Sequence, residues 1–355
     1  MTLMAGEEAL CGVVLRATGS LYEVLLGERT VSCRIRGRLR LKGVRSTNPV
    51  VVGDIVRCER DETGETVIAD VEPRRNYIIR RASNLSKESH IIAANIDQAL
   101  LVVSLVRPAT NSEFIDRFLV TAGAYHIPAA ILLNKSDLYT TGELQQERAR
   151  FIETYTRAGY DVVELSASRG EVLRINPARA RRQETRTEAT SGLGGDADSG
   201  SGAGTSVMSG MGTEPLLERL RDRVTLLSGN SGVGKSTLIR AIDPSLEVRV
   251  GEVSDAHHKG RHTTTFSEMY PLAEGGWLID TPGIKGFGLI DLDGAEIARY
   301  FPELFRLAPG CSYYNCTHTH EPGCAVKEAL SRGEVSLSRY ESYLKLLDDD
   351  EKYRR

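Results

Sequence analysis

The feature that most constrains this chain is Gly229-Asn230-Ser231-Gly232-Val233-Gly234-Lys235-Ser236, a G-x-x-x-x-G-K-S run. It follows the apolar stretch Val224-Thr225-Leu226-Leu227 and leads into Thr237-Leu238-Ile239, the start of a helix. Glycines in that setting let the backbone wrap a phosphate chain, so that successive N–H groups converge at a helix N-terminus. Lys235 then reaches the outer phosphates and Ser236 offers a hydroxyl to Mg²⁺. A strand, loop and helix of this kind belong to a parallel α/β sheet. The rest of the middle of the chain supplies one. Residues 98–105 and 129–133 are continuous apolar runs, the mark of buried parallel strands. Helices are expected at about 114–124 and 143–158, with further strands at 161–165, 224–227 and 277–279.

Two more motifs stand at strand ends. Asp280-Thr281-Pro282-Gly283 follows the strand at 277–279. Alone it reads as an ordinary turn. Downstream of a phosphate loop, the Asp280 carboxylate can hold Mg²⁺ and the Gly283 N–H can sense a γ-phosphate. Asn134-Lys135-Ser136-Asp137 follows the strand at 129–133. Alone it is a capped helix start; at a strand end it looks like the guanine-specificity motif of GTPases. A carboxylate at Asp137 accepts from both the ring N–H and the exocyclic amine of guanine, and adenine offers no such donor pair. Ser166-Ala167, one strand later, resembles the loop that meets the guanine oxygen. The order is unusual, because the base-binding half precedes the phosphate-binding half. A circular permutation can still build the same sheet, since it moves the termini to exposed loops.

Residues 11–72 read as short strands at the spacing of a small barrel, best taken as an OB-fold. Between Val31 and Leu41 the pattern alternates, and Arg34, Arg36, Arg38 and Arg40 fall on one face. That face is a candidate RNA contact; the plainer reading is a solvated surface. Arg74, Arg75, Arg80 and Arg81 form a second basic knot. The net charge of −3 over 355 residues says little about partners. The length suits two or three domains. No run reaches the roughly 18 apolar residues of a membrane span, and the N-terminus lacks a signal-peptide pattern. A cytoplasmic protein with no membrane partner is expected. Cys11, Cys33 and Cys58 read as small buried apolar residues. Residues from about 176 to 213 are Gly/Ser-rich and read as a flexible insertion.

Taken together, these motifs resemble the RsgA (YjeQ/EngC) family of circularly permuted GTPases. Lys259-Gly260-Arg261-His262-Thr263-Thr264-Thr265 and Asp280-Thr281-Pro282-Gly283-Ile284 strengthen the likeness. Two features depart from the family: the insertion replaces a short link, and Asn134 stands where many relatives have Thr. The resemblance implies GTP hydrolysis coupled to late maturation of the small ribosomal subunit and stimulated by that subunit. It implies GTP/GDP as ligand, the subunit and its rRNA as partners, and a monomer. Two alternatives are an RNA-binding protein with GTP as an affinity switch only, and a permuted GTPase acting on the large subunit.

Cys311, Cys316 and Cys324 cluster with histidines as C-x4-C-x-H-x5-C. Three thiolates and one imidazole suit a closed structural zinc site. His320 rivals His318 for the fourth place, and the family pattern selects His318. A following helix carries Leu337, Tyr340, Leu344 and Leu347 at helical spacing, to pack on this module or on the GTPase domain. The expected architecture is therefore multidomain: an OB-fold β-barrel at 1–75, a circularly permuted α/β P-loop GTPase domain at 82–290, and a zinc-binding helical module at 291–355. Mg²⁺ would be held by Ser236, Asp280 and one of Thr263 and Thr264. Ile284 stands where many GTPases carry a water-orienting glutamine. His262, beside those threonines, is the candidate catalytic residue; the plainer reading is a solvated loop histidine. His257 and His258 are farther away.

Overall fold

A computed structural model of the chain describes residues 10–36, 49–81, 89–178, 212–246, 267–281 and 294–354. The first element is a closed five-stranded barrel made from β1 (Leu10–Thr18), β2 (Leu21–Leu26), β3 (Arg29–Ile35), β4 (Ile55–Arg60) and β5 (Thr66–Val71). Its order is β1-β2-β3-β5-β4, with β4 pairing back onto β1. The β3–β5 pairing is parallel and the others are antiparallel. Alternation sends Val14, Tyr22, Val24, Cys33, Val56, Cys58 and Ile68 inward as the barrel core. Cys33 and Cys58 are buried as expected, but Cys11 is exposed, because neighbouring strand residues face opposite ways. The 31–41 alternation forms strand only to Ile35, and residues 37–48 lie outside the described set. Val50, Val51 and Val52 are buried without forming a regular strand; Gly53, at φ 84°, turns the chain there.

A hairpin of β6 (Tyr77–Arg81) and β7 (Ser89–Ala94) leads into the main sheet. The sheet comprises β8 (Gln98–Val103), β9 (Ala129–Leu133), β10 (Asp161–Ser166), β11 (Glu171–Asn176), β12 (Val224–Ser228), β13 (Glu268–Pro271) and β14 (Trp277–Asp280), in the order β11-β10-β9-β8-β12-β14-β13. Strands β8, β9, β10, β12 and β14 are parallel; β11 and β13, which flank them, are antiparallel. Every residue of β8 is buried, as the apolar run requires of a central strand.

Helix α1 (Ser112–Ala124) starts at Asn111, whose side chain accepts from the Glu113 N–H. Helix α2 (Gly142–Ala158) is capped by Thr141 and stops at Gly159 in the left-handed region, φ 115°. Helices α3 (Glu214–Leu220) and α4 (Lys235–Ile242) cover the other face through Leu216, Leu220, Leu238 and Ile239. Most of the Gly/Ser-rich insertion, residues 179–211, lies outside the described set.

The C-terminal module holds α5 (Gly294–Ile297), α6 (Pro302–Leu307), α7 (Ala325–Ser331) and α8 (Leu337–Arg354). Helix α8 packs on both the Cys/His loop and α1. Tyr340 and Tyr343 donate their hydroxyls to the carbonyls of His318 and Thr317, each at 2.6 Å. Arg339, 1% exposed, meets Asp116 of α1 at 2.6 Å and Glu303 of α6 at 2.7 Å. Its guanidinium carbon lies 4.5 Å from the Phe301 ring centroid. The inward face is Arg339, Tyr340, Tyr343 and Leu346, with Leu344 and Leu347 half-buried against the same core as expected, while Leu337, also expected inside, is 61% exposed. An arginine in the stripe hides it from a reading by apolar spacing.

Candidate nucleotide site and metal cluster

The phosphate loop leaves β12 at Ser228 and enters α4 at Lys235. Gly229, φ 148°, lies so close to β8 that a Cβ would stand 2.3 Å from the Val102 carbonyl oxygen. Gly234, φ 100°, would put a Cβ 2.4 Å from Asn134 Nδ2. Both positions therefore require glycine. Between them, Asn230, Ser231, Gly232 and Val233 form the loop, and only Val233 anchors in the core. Lys235 Nζ donates to the carbonyls of Gly229 at 2.5 Å and Asn230 at 3.2 Å. Burial lowers the affinity of that amine for its proton, and the Asp280 carboxylate opposes the effect. Ser236 is half-buried in the first turn of α4, and Thr237 is exposed beside it.

Asp280 ends β14 in register with Leu227, next to the loop. Burial pushes its carboxyl above the ordinary range, Lys235 pulls it down, and Glu268 pushes it up again. Its Oδ1 is buried with no hydrogen-bond partner among the described residues. A buried carboxylate oxygen left open at the strand end next to the phosphate loop is a donor that fits a hard divalent cation. Thr281, the next residue, donates its hydroxyl to the Leu227 carbonyl at 3.0 Å. Gly283, Thr263, Thr264 and His262 lie outside the described residues.

Asn134-Lys135-Ser136-Asp137 follows β9, and its first residue joins three loops. Asn134 Nδ2 donates to Val233 O at 2.8 Å, and its Oδ1 accepts from the Ala167 N–H at 2.9 Å. Lys135, in the left-handed region at φ 61°, donates to Gly232 O at 2.7 Å and also to Arg107 O. Ser136 turns back to the Leu133 carbonyl. The half-buried Asp137 receives the Ser166 hydroxyl on Oδ1 at 2.7 Å. Ser166 and Ala167 thus set Asp137 and Asn134 in place. Tyr139, not singled out by the sequence reading, binds the Asn134 carbonyl at 2.5 Å and accepts from the Leu105 N–H. No sequence signal distinguishes it from an ordinary core tyrosine.

In the C-terminal module, the ligand atoms of Cys311, Cys316, His318 and Cys324 all lie within 4.8 Å of one another, and the group could hold a metal ion. His318 Nδ1 faces Cys324 Sγ at 3.4 Å and Cys311 Sγ at 3.6 Å. His320 is not among these ligands; it is exposed and meets Thr319. Glu321 fastens the loop: burial opposes its charge, but donors from Thr317 and Thr319 hold its carboxyl down to about 2. In a small loop so short of apolar core, a bound ion is the natural source of rigidity.

On the barrel, Arg34 is exposed, and Arg36 pairs with Glu59 at 3.0 Å, so one charge of that face is offset nearby. Arg38 and Arg40 lie outside the described residues. The second basic knot is partly structural. The half-buried Arg74 makes a two-point pair with the buried Asp54, and Arg75 meets Asp97 at 2.8 Å.

Comparison with known proteins agrees with this geometry. The family model described as RsgA GTPase matches residues 71–195 and 201–290, and that of the RsgA N-terminal domain matches residues 11–68. A Bacteroides fragilis protein named small ribosomal subunit biogenesis GTPase RsgA is 47% identical over 346 residues, covering 97% of this chain and 98% of that protein. The crystal structure of YjeQ from Thermotoga maritima superposes with a TM-score of 0.67 at 30% identity, covering 96% of this chain and 98% of that one. That of YloQ, a circularly permuted GTPase, shares the fold with a TM-score of 0.63 at 24% identity, covering 100% and 99%. No helix among the described residues is long and apolar enough to cross a membrane.

Proposed function

Given that this chain belongs to the RsgA GTPase family, we propose that it hydrolyses GTP during biogenesis of the small ribosomal subunit, in the cytoplasm, with the subunit as partner and stimulator. The observation that carries this reading is the convergence on Asn134. The ends of β9, β10 and β12 meet there, so a base-recognition carboxylate and a phosphate loop form one site. The name of the Bacteroides fragilis relative supports the ribosomal partner.

The assignments follow from chemistry. Asp137, oriented by Ser166, accepts from guanine, and Lys135 braces the loop beneath the nucleotide. The N–H groups of residues 229–236 cradle the phosphates, and Lys235 exchanges the carbonyls of Gly229 and Asn230 for phosphate oxygens. Ser236 and Asp280 are the residues to hold Mg²⁺, with Thr263 or Thr264 completing the set. When bound, the ion neutralises charge on the β- and γ-phosphates. Gly283 senses the γ-phosphate and His262 positions the attacking water. The Cys311, Cys316, His318 and Cys324 cluster holds one structural Zn²⁺. Arg34, Arg36, Arg38 and Arg40 face rRNA, and the three-part division at 1–75, 82–290 and 291–355 belongs to the same reading.

The test is multiple-turnover GTP hydrolysis with and without purified small subunits. Strong stimulation by small but not large subunits is expected. GTP-dependent subunit binding without stimulated turnover would mean that GTP only sets affinity. The variant His262→Ala should keep GTP affinity and subunit binding while losing most stimulated turnover.

A further inference from the structure

The first strand of the barrel is also the last strand of the nucleotide-domain sheet. β1 pairs with β13 at Arg16↔Glu268. A bulge makes this possible: Val14 faces Val24 and the next matched pair is Arg16↔Glu23, so Leu15 is the extra residue. Bulges re-aim the side chains around them. Val14 stays in the barrel core while Val13 and Leu15 pack against the nucleotide-domain core. Arg16 Nε stands 2.7 Å from Glu268 Oε1, and Nη1 is 3.7 Å from Glu23 Oε1. On its other side, Glu268 is the in-register partner of Asp280. Residues directly opposite on neighbouring strands share a sheet face. A row of Glu23, Arg16, Glu268 and Asp280 therefore runs from the barrel to the phosphate loop, with one cation for three acids.

We propose that Arg16 is a positioning residue of the GTP site, acting through Glu268. It neutralises Glu268 and holds it toward the barrel, so that Asp280, which shares the field of Lys235, is the one carboxylate of that row presented to the nucleotide. This rests on the assignment of Asp280 to the phosphate and metal site. The Tyr270 hydroxyl donates to the other oxygen of Glu268. Loss of Arg16 therefore leaves Glu268 anchored but carrying an unbalanced charge. GTP carries more negative charge than GDP, at its outer end, so this charge penalises GTP more. The barrel thereby takes part in telling GTP from GDP.

The test uses full-length protein and the dissociation constants of fluorescent GTP and GDP analogues. Arg16→Ala should lower the GTP-to-GDP affinity ratio by about fivefold, the scale of a cross-strand charge pair. Arg16→Lys should retain most of the ratio. The double variant Arg16→Ala/Glu268→Gln should return it to within about twofold of wild type, because the fault lies in the unbalanced charge. An unchanged ratio in Arg16→Ala overturns the proposal. So does an equal weakening of both nucleotides that Glu268→Gln fails to rescue, which would make Arg16 only a strut between domains. Separately, an Asp280→Asn variant with wild-type Mg²⁺ dependence of GTP binding would sink the site assignment itself, and this proposal with it.

Discussion

Asn134 Nδ2 donates to the carbonyl oxygen of Val233 at 2.8 Å, tying the base-recognition loop to the phosphate loop across 99 positions of sequence. The same side chain holds the Ala167 N–H. Asn134→Ala should therefore weaken GTP and GDP alike, by roughly 1–3 kcal/mol, the cost of leaving buried polar groups unpaired. Titration calorimetry with both nucleotides checks this. A selective loss of GTP alone would contradict it.

Asp137→Asn should instead change the base. Its carboxylate is oriented by Ser166 and stands half-buried. An amide there inverts part of the donor–acceptor pattern, so preference should shift from guanine to xanthine. Competition among GTP, XTP and ATP reads the outcome; an unaltered preference for GTP would remove Asp137 from the base site.

Elemental analysis of purified protein should find about one zinc per chain, as four ligand atoms of this type imply. Cys316→Ser should lose the ion and lower the thermal midpoint, while His320→Ala should leave both unchanged. Metal-free wild-type protein with an unaltered melt would dismiss the site.

Arg339 balances Asp116 and Glu303 in a buried cluster joining the C-terminal module to α1. Truncation strands two carboxylates, so Arg339→Ala should cost about 3–5 kcal/mol. Chemical denaturation measures this. The triple change Arg339→Met, Asp116→Leu, Glu303→Met should recover most of the loss, since no buried charge remains.

Arg34→Glu should weaken small-subunit binding and flatten the salt dependence of log affinity by about one unit of slope, as for one lost phosphate contact. Arg36→Glu should do less, because Glu59 already offsets Arg36. Sedimentation with purified subunits at several salt concentrations checks both; equal slopes for wild type and Arg34→Glu would make this face a solvated surface.

Much of the site was legible because its residues answer to local rules. Gly229 and Gly234 take left-handed backbone angles, φ 148° and 100°, that favour glycine, Lys235 and Ser236 stand at a helix start, and Asn134 to Asp137 stand at a strand end. A phosphate loop after one apolar strand and a base motif after an earlier one determined the permuted α/β sheet, because each motif works only at the end of a parallel strand. The Cys311 to Cys324 spacing likewise singled out a four-ligand cluster. Tertiary structure alone decided the rest. The β1 bulge turns Arg16 onto Glu268, Arg339 is buried between two acids distant in sequence, Arg74 is sunk beside Asp54, and Tyr139 braces Asn134. These roles depend on which charge or hydroxyl meets which partner across the fold. Local periodicity reports only which face a residue occupies, so only the packed chain shows which of these charges are neutralised and which remain free to act.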